Sequence, residues 1–243
     1  MCGRFAQVFE DTDVSRIEEI IRAACSSDEL LIPSFNTAPT DPAGIIAKPE
    51  PSAPPAVHRA RFGLVPSWSN GPGSGPLMFN ARSETLREKP SFRGLVRSRR
   101  CIVPISGFFE WQAVDGQRQK RPWYLTRADG DPMLLAGLWD TWCADGSELD
   151  SFAILTRAPE PFMEPIHDRM PVILEPDAAP DWINGSLGDR AVDAMITAEP
   201  AAGVLAGHRV GRAISNARRD DPSVLEPIDA LRGEEGEQGT LFG

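Results

Sequence analysis

The 243-residue sequence is poor in the residues that build metal sites and disulfide frameworks. It has four cysteines and three histidines, and no two cysteines form a Cys-x-x-Cys pair. Structural zinc sites need closely spaced cysteine and histidine ligands, and disulfide-rich secreted domains need many cysteines. We therefore predict no metal site, and we expect a reducing, cytoplasmic compartment.

Long hydrophobic runs are absent as well. The longest, from Met133 to Trp139, is interrupted by Gly137 and is far shorter than the roughly 20 residues that span a membrane. No basic segment followed by an apolar one opens the chain, so we expect neither a secretory leader nor a membrane partner. Proline and glycine, by contrast, number 23 and 21. This composition argues against long helices and for short strands joined by many turns.

Positive charge is scarce overall but is unevenly distributed. The 25 Lys and Arg residues are outnumbered by 35 Asp and Glu residues, which gives a formal charge of −10. Residues 82–100 nevertheless hold seven basic side chains and two acidic ones, whereas residues 220–243 hold seven acidic side chains and one basic one. Salt screens charges beyond about 8–10 Å, so a phosphate responds mainly to the local segment. The overall acidity therefore does not exclude a nucleic-acid partner.

The apolar pattern predicts one early helix and then many short strands. Apolar residues recur at helical spacing from Ile17 to Ala24, after a cap at Thr12 or Asp13. Later runs are β-rich and are separated by Asp-Gly turn signals. The predicted strands cover 44–48, 57–64, 101–105, 108–112, 123–126, 133–139, 152–156 and 172–174, and the predicted short helices cover 83–89, 91–96, 160–164, 177–183 and 190–197. We infer a single α+β domain with a curved, mainly antiparallel β-sheet or barrel-like core flanked by short helices.

The opening segment, Met1-Cys2-Gly3-Arg4-Phe5, carries the most chemistry. Aminopeptidases remove an initiator methionine when the next side chain is small, so we expect the mature chain to start with Cys2. That residue then has an α-amine and a thiol, which titrate near ~7.7–8 and ~8.5. Such an aminothiol captures an aldehyde, because the amine forms a Schiff base and the thiolate then closes a five-membered thiazolidine. A small apolar residue near the start of the chain is the alternative interpretation.

Two motifs in the middle of the chain offer further polar groups. Asn80 has an amide that can orient a reacting group, and Arg82 has the planar fork that suits phosphate. A helix cap and a solvated basic face explain these two residues equally well. In Gly107-Phe108-Phe109-Glu110-Trp111 the apolar neighbours predict that burial raises the pKa of Glu110 toward a range useful for proton transfer. An exposed strand carboxylate is the alternative.

Two more motifs carry a histidine and an aromatic side chain. His167 is the only histidine in a dense polar motif, so it is a candidate general acid or base, with Arg169 as a phosphate ligand. A structural histidine is the alternative. Trp68 follows a proline-constrained turn, where an exposed indole can stack on a base, or else covers the core. The remaining histidines, His58 and His208, are interpreted as structural, and the remaining cysteines as core thiols: Cys25, Cys101 and Cys143.

Taken in order, these motifs resemble the SOS-response-associated peptidase (SRAP) family of abasic-site processing proteins. The resemblance rests on Met1-Cys2-Gly3-Arg4-Phe5, Phe35-Asn36-Thr37-Ala38-Pro39-Thr40, Phe62-Gly63-Leu64-Val65-Pro66-Ser67-Trp68, Asn80-Ala81-Arg82-Ser83-Glu84-Thr85, Gly107-Phe108-Phe109-Glu110-Trp111 and Ile166-His167-Asp168-Arg169-Met170-Pro171. It implies one domain over residues 1–228, with a curved β-sheet core and peripheral helices, followed by an acidic flexible tail over 229–243. The loop 71–76 departs from the family pattern in being richer in glycine.

The resemblance implies a protein that binds single-stranded DNA and crosslinks itself through Cys2, as a thiazolidine, to the ring-opened aldehyde of abasic sites. Such a crosslink shields the lesion during replication and the SOS response. By position, Asn80 orients the cysteine and the sugar, Glu110 transfers protons at the α-amine and assists reversal, and His167 promotes ring opening and Schiff-base chemistry. The implied DNA-binding residues are Arg4, Asn36, Trp68, Arg82 and Arg169. Aldehyde capture by an aminothiol requires no metal or organic cofactor. A Schiff base at C1′ acidifies the 2′ proton, so we expect a competing lyase activity, and we also expect peptidase removal of Met1.

Other functions remain open at this point. An N-terminal-nucleophile amidohydrolase or glutaminase also begins Met-Cys-Gly, a Cys2 nucleophile suits a peptidase, and a non-enzymatic single-stranded-DNA-binding module needs no Cys2 chemistry. The tail resembles the Gln-x-x-Leu-Phe peptides that dock on the DNA sliding clamp, through Gln238, Leu241 and Phe242. An incidental chain end is the alternative there. We predict a monomer that is cytoplasmic and associates with the nucleoid when bound to DNA.

Overall fold

A computed structural model of the chain describes residues 2–23, 32–50, 52–184, 188–198 and 203–228. Within these ranges, the strands are β1 (Phe5–Gln7), β2 (Ser34–Thr37), β3 (Pro42–Ala47), β4 (Ala56–Phe62), β5 (Asn80–Arg82), β6 (Arg100–Ile105), β7 (Gly107–Gln112), β8 (Arg121–Arg127), β9 (Met133–Ala144), β10 (Ser147–Arg157), β11 (Met170–Pro171) and β12 (Leu205–Arg209). The helices are α1 (Asp11–Ile21), α2 (Leu95–Ser98), α3 (Ala179–Asn184) and α4 (Asp189–Thr197), with short 3-10 helices at Ser83–Thr85, Arg212–Ser215 and Pro222–Leu225. The predicted α+β class is confirmed.

Five strands close into a barrel. Their order is β10, β4, β3, β6 and β9, and β9 pairs back onto β10. All these pairings are antiparallel except that of β4 with β10. Asp145 and Gly146 join β9 to β10 with φ angles of 51° and 77°, the geometry that a two-residue hairpin turn needs. Apolar side chains fill the interior, among them Ile45, Phe62 and Phe152.

A second sheet packs against the barrel and contains β1, near the start of the chain. Its strands lie in the order β12, β8, β7, β1 and β2, and all its pairings are antiparallel. The Phe5 ring meets Phe62 of the barrel edge-on, with centroids 5.1 Å apart. Because β1 is held on both sides, Cys2 enters the same apolar cluster as the barrel interior.

The helices cover the outer face of the barrel. The buried face of α1 includes Ile17 and Ile21, and Trp182 of α3 is fully buried in the same cluster. The indole N–H of Trp182 donates to the Cys101 carbonyl at 2.9 Å. Arg100 is only 4% exposed, and its guanidinium donates to the Trp182 carbonyl at 2.6 Å. The barrel strands are therefore buried on both faces. For this reason their sequences are nearly continuous apolar runs rather than alternating patterns.

Several sequence predictions of local structure need correction. Helix α1 is confirmed, but its cap is Glu10, whose N–H is bonded to the Asp13 carboxylate at 2.9 Å in a capping box. Residues 160–164 form a turn rather than a helix, and the strand expected at 172–174 lies at Met170–Pro171. Four strands were not predicted: β1, β2, β5 and β12. They have three to five residues each, which is too short for an alternating pattern to show.

Two further findings concern the ends and the surface of the chain. The predicted tail, with Gln238, Leu241 and Phe242, lies outside the described residues. No helix in the described ranges is both long enough and apolar enough to cross a membrane.

Candidate active site

The pairing of β1 with β7 places Cys2 close to Glu110. Phe5 lies opposite Phe108, and the Phe109 N–H donates to the Arg4 carbonyl at 2.9 Å, so the same register brings Gly3 opposite Glu110. Cys2 itself is fully buried. Burial raises the pKa of its thiol, and the negative charge of Glu110 raises it further. The sulfur is thus held as a thiol, which needs a base to become a nucleophile.

Glu110 is the buried carboxyl that can act as this base. Only 2% of the residue is exposed. Burial among apolar neighbours raises the pKa of Glu110 to about 7, and the positive charge of the amino terminus acts in the opposite direction. A carboxyl group with this pKa is present in both protonation states near neutral pH, which is the condition for transferring protons in both directions.

His167 faces Glu110 from the turn that follows β10. Its Nε2 lies 3.8 Å from Glu110 Oε2, and its Nδ1 accepts a hydrogen bond from the Arg169 backbone N–H at 3.0 Å. The exposed Asp168 carboxylate also lies 2.8 Å from Nδ1 and favours a proton on that nitrogen. The hydrogen bond from the Arg169 backbone N–H has the opposite requirement, because Nδ1 must be unprotonated to accept it. Because burial lowers the pKa of His167, we assign the neutral ring with its proton on Nε2, toward Glu110.

Asn80 closes the other side of the site. Strand β5 runs parallel to β10, with Asn80 beside Ile154. The side-chain N–H groups of Asn80 donate to the Cys2 carbonyl at 3.1 Å and the Phe79 carbonyl at 2.9 Å. Its Oδ1 is buried and has no hydrogen-bond partner within the described residues. Asn80 therefore holds the backbone of Cys2 and presents a free acceptor beside it.

Glu110 and His167 open onto one cavity, which we call the site pocket, and Cys2 and Asn80 each adjoin one of its lining residues, Gly3 and Phe79. Its volume is about 450 Å³, and it is lined by Gly3, Phe79, Glu110, Trp111, Lys120, His167 and Ser215. The indole N–H of Trp111 donates to Ser215 Oγ at 3.3 Å. Five lining residues were not predicted as site residues: Gly3, Phe79, Trp111, Lys120 and Ser215. Gly3 and Trp111 stood within motifs and Phe79 directly precedes one, whereas Lys120 and Ser215 come from segments that carry no motif.

Arg4 and Asn36 contact each other rather than open solvent. An Arg4 guanidinium N–H donates to Asn36 Oδ1 at 2.7 Å and to the Ile214 carbonyl at 2.7 Å. Asn36 is 2% exposed, and its amide also donates to the carbonyls of Asn216 at 3.0 Å and Arg219 at 2.7 Å. Binding of DNA by Asn36 stays a prediction. What its contacts do is hold Arg4 and the segment 214–219 in place.

The two other predicted phosphate ligands differ in how free they are. Arg82 is exposed at the end of β5. Arg169 instead forms a two-pronged ion pair with the Glu84 carboxylate at 2.6 and 2.9 Å, and it also donates to the Thr156 carbonyl at 2.6 Å. A phosphate therefore meets an available guanidinium at Arg82 and an occupied one at Arg169.

Much of the basic segment 82–100 serves the fold. Arg87 pairs with Asp189 at 3.1 Å and Asp193 at 2.8 Å, and Arg97 pairs with Asp189 at 3.1 Å. Arg100 is buried against α3. The local excess of positive charge in the sequence therefore overstates the charge that this segment presents to a ligand.

Trp68 lies apart from the site pocket. It is 67% exposed and lines a separate cavity of about 520 Å³, so of the two interpretations of this residue, exposed indole and core cover, the structure supports the first. We call this cavity the Trp68 pocket.

The remaining cysteines and histidines have simpler surroundings. Cys101 is buried in the barrel, and burial raises its pKa. Cys143 is exposed, so its assignment as a core thiol was wrong, and Cys25 lies outside the described residues. His208 Nε2 lies 2.7 Å from the Leu225 carbonyl. In the described part of the chain, no three His, Cys, Asp or Glu side chains are grouped as metal ligands.

Comparison with known proteins places these features in context. The profile of the family described as "SOS response associated peptidase (SRAP)" matches residues 1–217. The abasic site processing protein YoqW of Bacillus subtilis is 32% identical over 93% of this chain and 99% of its own length. The abasic site processing protein YedK of Escherichia coli is 30% identical over 94% of this chain and 100% of its own length.

Solved structures agree with the fold. A crystal structure of a Bordetella bronchiseptica protein has a TM-score of 0.71 and 26% identity, covering 86% of this chain and 100% of that one. A crystal structure from Bacteroides thetaiotaomicron has a TM-score of 0.71 and 25% identity, covering 80% of this chain and 85% of that one.

Proposed function

Since this chain belongs to the SRAP family, we propose that it captures abasic sites in single-stranded DNA as a covalent thiazolidine on Cys2. The observation that carries the proposal is the grouping of four side chains: Glu110 and His167 line one pocket, Glu110 acts electrostatically on the buried Cys2 thiol, and Asn80 holds the Cys2 carbonyl. Two relatives that match nearly the whole chain are named abasic site processing proteins. An abasic site is an aldehyde in equilibrium with its cyclic hemiacetal, the substrate that an N-terminal aminothiol captures.

The first steps are ring opening and imine formation. Once Met1 is removed, the α-amine belongs to Cys2. The neutral His167 ring moves a proton between the C1′ hydroxyl and the ring oxygen, which opens the hemiacetal. Ionised Glu110 takes a proton from the ammonium group and the amine adds to the C1′ carbon. Glu110 then returns this proton to the C1′ hydroxyl, which leaves as water, so that the protonated Schiff base forms and Glu110 is ionised again. The pKa of about 7 at Glu110 suits this transfer near neutral pH.

Ring closure then consumes the thiol. The Cys2 sulfur adds to the carbon of the protonated Schiff base as the thiol proton passes to ionised Glu110, and the electrons of the C=N bond move to nitrogen, which becomes the neutral ring amine. Because burial holds Cys2 as a thiol, deprotonation has to accompany the attack, and Glu110 is the buried carboxyl that acts on Cys2. Asn80 fixes the Cys2 carbonyl at 3.1 Å and so limits the rotation of the nucleophile.

A lyase reaction competes with closure. The Schiff base acidifies the 2′ proton of the sugar, so β-elimination cleaves the strand when the thiol fails to add. We expect Cys2→Ser to retain some imine-dependent strand cleavage while losing the stable adduct. A heat-stable adduct formed by Cys2→Ser would contradict the thiazolidine.

A denaturing gel tests the proposal. Protein whose loss of Met1 has been confirmed by intact mass is mixed with a single-stranded oligonucleotide that carries one abasic site. We expect a retarded band that requires both the lesion and Cys2, and neither undamaged DNA nor Cys2→Ala gives it. Absence of the band from the mature protein would overturn the proposal and favour a glutaminase or peptidase, which glutamine and peptide hydrolysis assays detect.

A further inference from the structure

Gln112 links the strand that carries Glu110 to the turn that carries His167. Residues two apart in a strand point to the same face, so Gln112 lies on the Glu110 face of β7. Its amide oxygen accepts from the indole N–H of Trp123 at 3.1 Å, and its amide N–H donates to the Pro165 carbonyl at 3.0 Å. Trp123 lies opposite Glu110 in β8, and Pro165 precedes His167 by two residues. One side chain therefore connects the two sides of the site.

The two partners of Gln112 require an amide between them. An indole N–H can only donate a hydrogen bond, and a backbone carbonyl can only accept one. The side chain that joins them needs an acceptor on one side and a donor on the other, and an amide has both. An ionised glutamate lacks the donor, and a methionine of similar length lacks both groups. The link therefore depends on which residue occupies position 112.

The turn that carries His167 is also held by apolar contacts. Met163 is fully buried and Ile166 is 6% exposed, and both belong to the apolar cluster of the barrel interior. The backbone N–H groups of Ile166 and His167 donate to the Met163 carbonyl at 2.8 and 2.9 Å. Apolar contacts are not directional, so they bind the turn to the barrel without fixing its distance from β7. The hydrogen bond from Gln112 to the Pro165 carbonyl supplies this directional constraint.

We propose that Gln112 is a positioning residue, which holds the His167 ring against Glu110 by bonding to the Pro165 carbonyl. This inference rests on the proposed function, because it assigns Gln112 a role in the reaction of His167. The His167 Nε2 atom lies 3.8 Å from Glu110 Oε2, so the two groups come within hydrogen-bond range only while the turn stays close to β7. A displacement of about 1 Å at such a group lowers a rate by up to about a hundredfold.

A double-mutant cycle on the crosslinking rate tests this inference. In single turnovers at saturating abasic-site DNA, Gln112→Met should slow crosslinking about tenfold, because it removes both hydrogen bonds. In a His167→Ala background the same substitution should change the rate by less than about twofold, since no ring remains to be positioned. Gln112→Glu keeps the acceptor but not the donor, so at neutral pH it should be as slow as Gln112→Met.

The matched control is Gln117→Met, which removes a glutamine from the exposed loop between β7 and β8. Gln117 accepts from Arg121 Nε at 3.3 Å and lines neither pocket, so this variant should keep the wild-type rate. Thermal unfolding checks that every variant folds. Equal slowing by Gln112→Met in both backgrounds, or a wild-type rate in Gln112→Met, would overturn the inference.

Proton NMR of the free protein gives a second readout that needs no reaction. Burial lowers the pKa of His167, so a turn that is released from β7 and better solvated should have a higher pKa at this ring. The signals of the His167 ring are assigned by their loss in His167→Ala. Their titration midpoint should rise in Gln112→Met and not in Gln117→Met. The charged side chains around the ring are the same in both variants: Glu110, Lys120 and Asp168.

The two readouts separate this inference from the proposed function. An unchanged midpoint in Gln112→Met would overturn the inference even where crosslinking is seen. A raised midpoint in a chain whose wild type forms no Cys2-dependent crosslink would overturn the proposed function, and the positioning of His167 by Gln112 would stand.

Discussion

The Trp68 pocket and the site pocket are lined by consecutive residues, Met78 and Phe79, and yet the chemical groups in the two pockets differ. The site pocket contains a buried carboxyl, Glu110, and a half-buried imidazole, His167. The Trp68 pocket has exposed apolar walls and lacks a carboxyl or imidazole among its lining residues. Under the proposed function the site pocket transfers protons, and the Trp68 pocket has no carboxyl or imidazole with which to do so. Substitutions in the first should change rates, and substitutions in the second should change affinity.

The largest effect is expected from Glu110→Gln. The amide keeps the shape of the side chain but takes no proton, so the rate of crosslinking at saturating DNA should fall by about 10²–10⁴. The wild-type crosslinking rate should rise with pH through about 7, where Glu110 ionises. The rate of the variant should not show this rise. Rates from pH 5.5 to 8.5 check this. A variant that keeps the same midpoint would show that another group is the base.

The same variant should alter stability in a pH-dependent way. Burial raises the pKa of Glu110 from 4.5 to about 7, so the folded state binds this proton more tightly than the unfolded state. The protonated Glu110 therefore adds to the free energy of unfolding. This addition, up to about 3 kcal/mol, is fully present below pH 4.5 and is lost as the pH rises through 7. Relative to the wild type, Glu110→Gln should therefore gain stability between pH 5 and pH 8. Urea unfolding at both pH values measures the difference, and a constant difference would contradict the assignment.

Asn80→Ala should slow crosslinking about tenfold. It should leave Kd nearly unchanged for a single-stranded oligonucleotide that carries an unreactive tetrahydrofuran in place of the abasic sugar. It removes the hydrogen bond to the Cys2 carbonyl and the free acceptor beside it, so the nucleophile samples more orientations. Single-turnover rates at saturating DNA measure the effect. A loss that appears only in Kd would place Asn80 in DNA binding instead.

The smallest effect concerns the occupied guanidinium of Arg169. Glu84→Gln removes the carboxylate that engages it at 2.6 and 2.9 Å, so a phosphate should bind there more readily. We expect Kd to tighten about threefold and the slope of log K against log salt to steepen by about 0.7, the value for one extra phosphate contact on a single strand. Asp129→Asn, which breaks the ion pair with Arg127 at 2.7 Å, is the matched control. Weaker binding by Glu84→Gln would show that the ion pair presents Arg169 to DNA.

The sequence predicted the barrel strands well because each is long enough for its apolar character to show. It missed β1 and β5, whose positions depend on partners distant in the chain: Phe5 opposite Phe108 and Asn80 beside Ile154. These two short strands are the ones that bring Cys2 and Asn80 to Glu110. The elements hardest to predict thus assemble the site.

The residues of the site divide in the same way. Cys2, Glu110 and His167 were predicted because their chemistry is local to each residue. Lys120 and Ser215 were not, since they reach the site pocket only through the fold. The composition of residues 82–100 overstated the positive charge available to a ligand for a related reason. It does not show that Arg87 and Arg97 form ion pairs with α4.

The most direct test of the central claim is to find the atom that carries the sugar. After crosslinking, the DNA is digested by nuclease and the protein by protease, and the modified peptide is identified by mass spectrometry without any reductant. We expect a modified peptide that begins at Cys2 and lacks Met1, with an adduct that survives heating. Modification at Lys120, the amine that lines the same pocket, or an adduct that appears only after borohydride reduction, would contradict it.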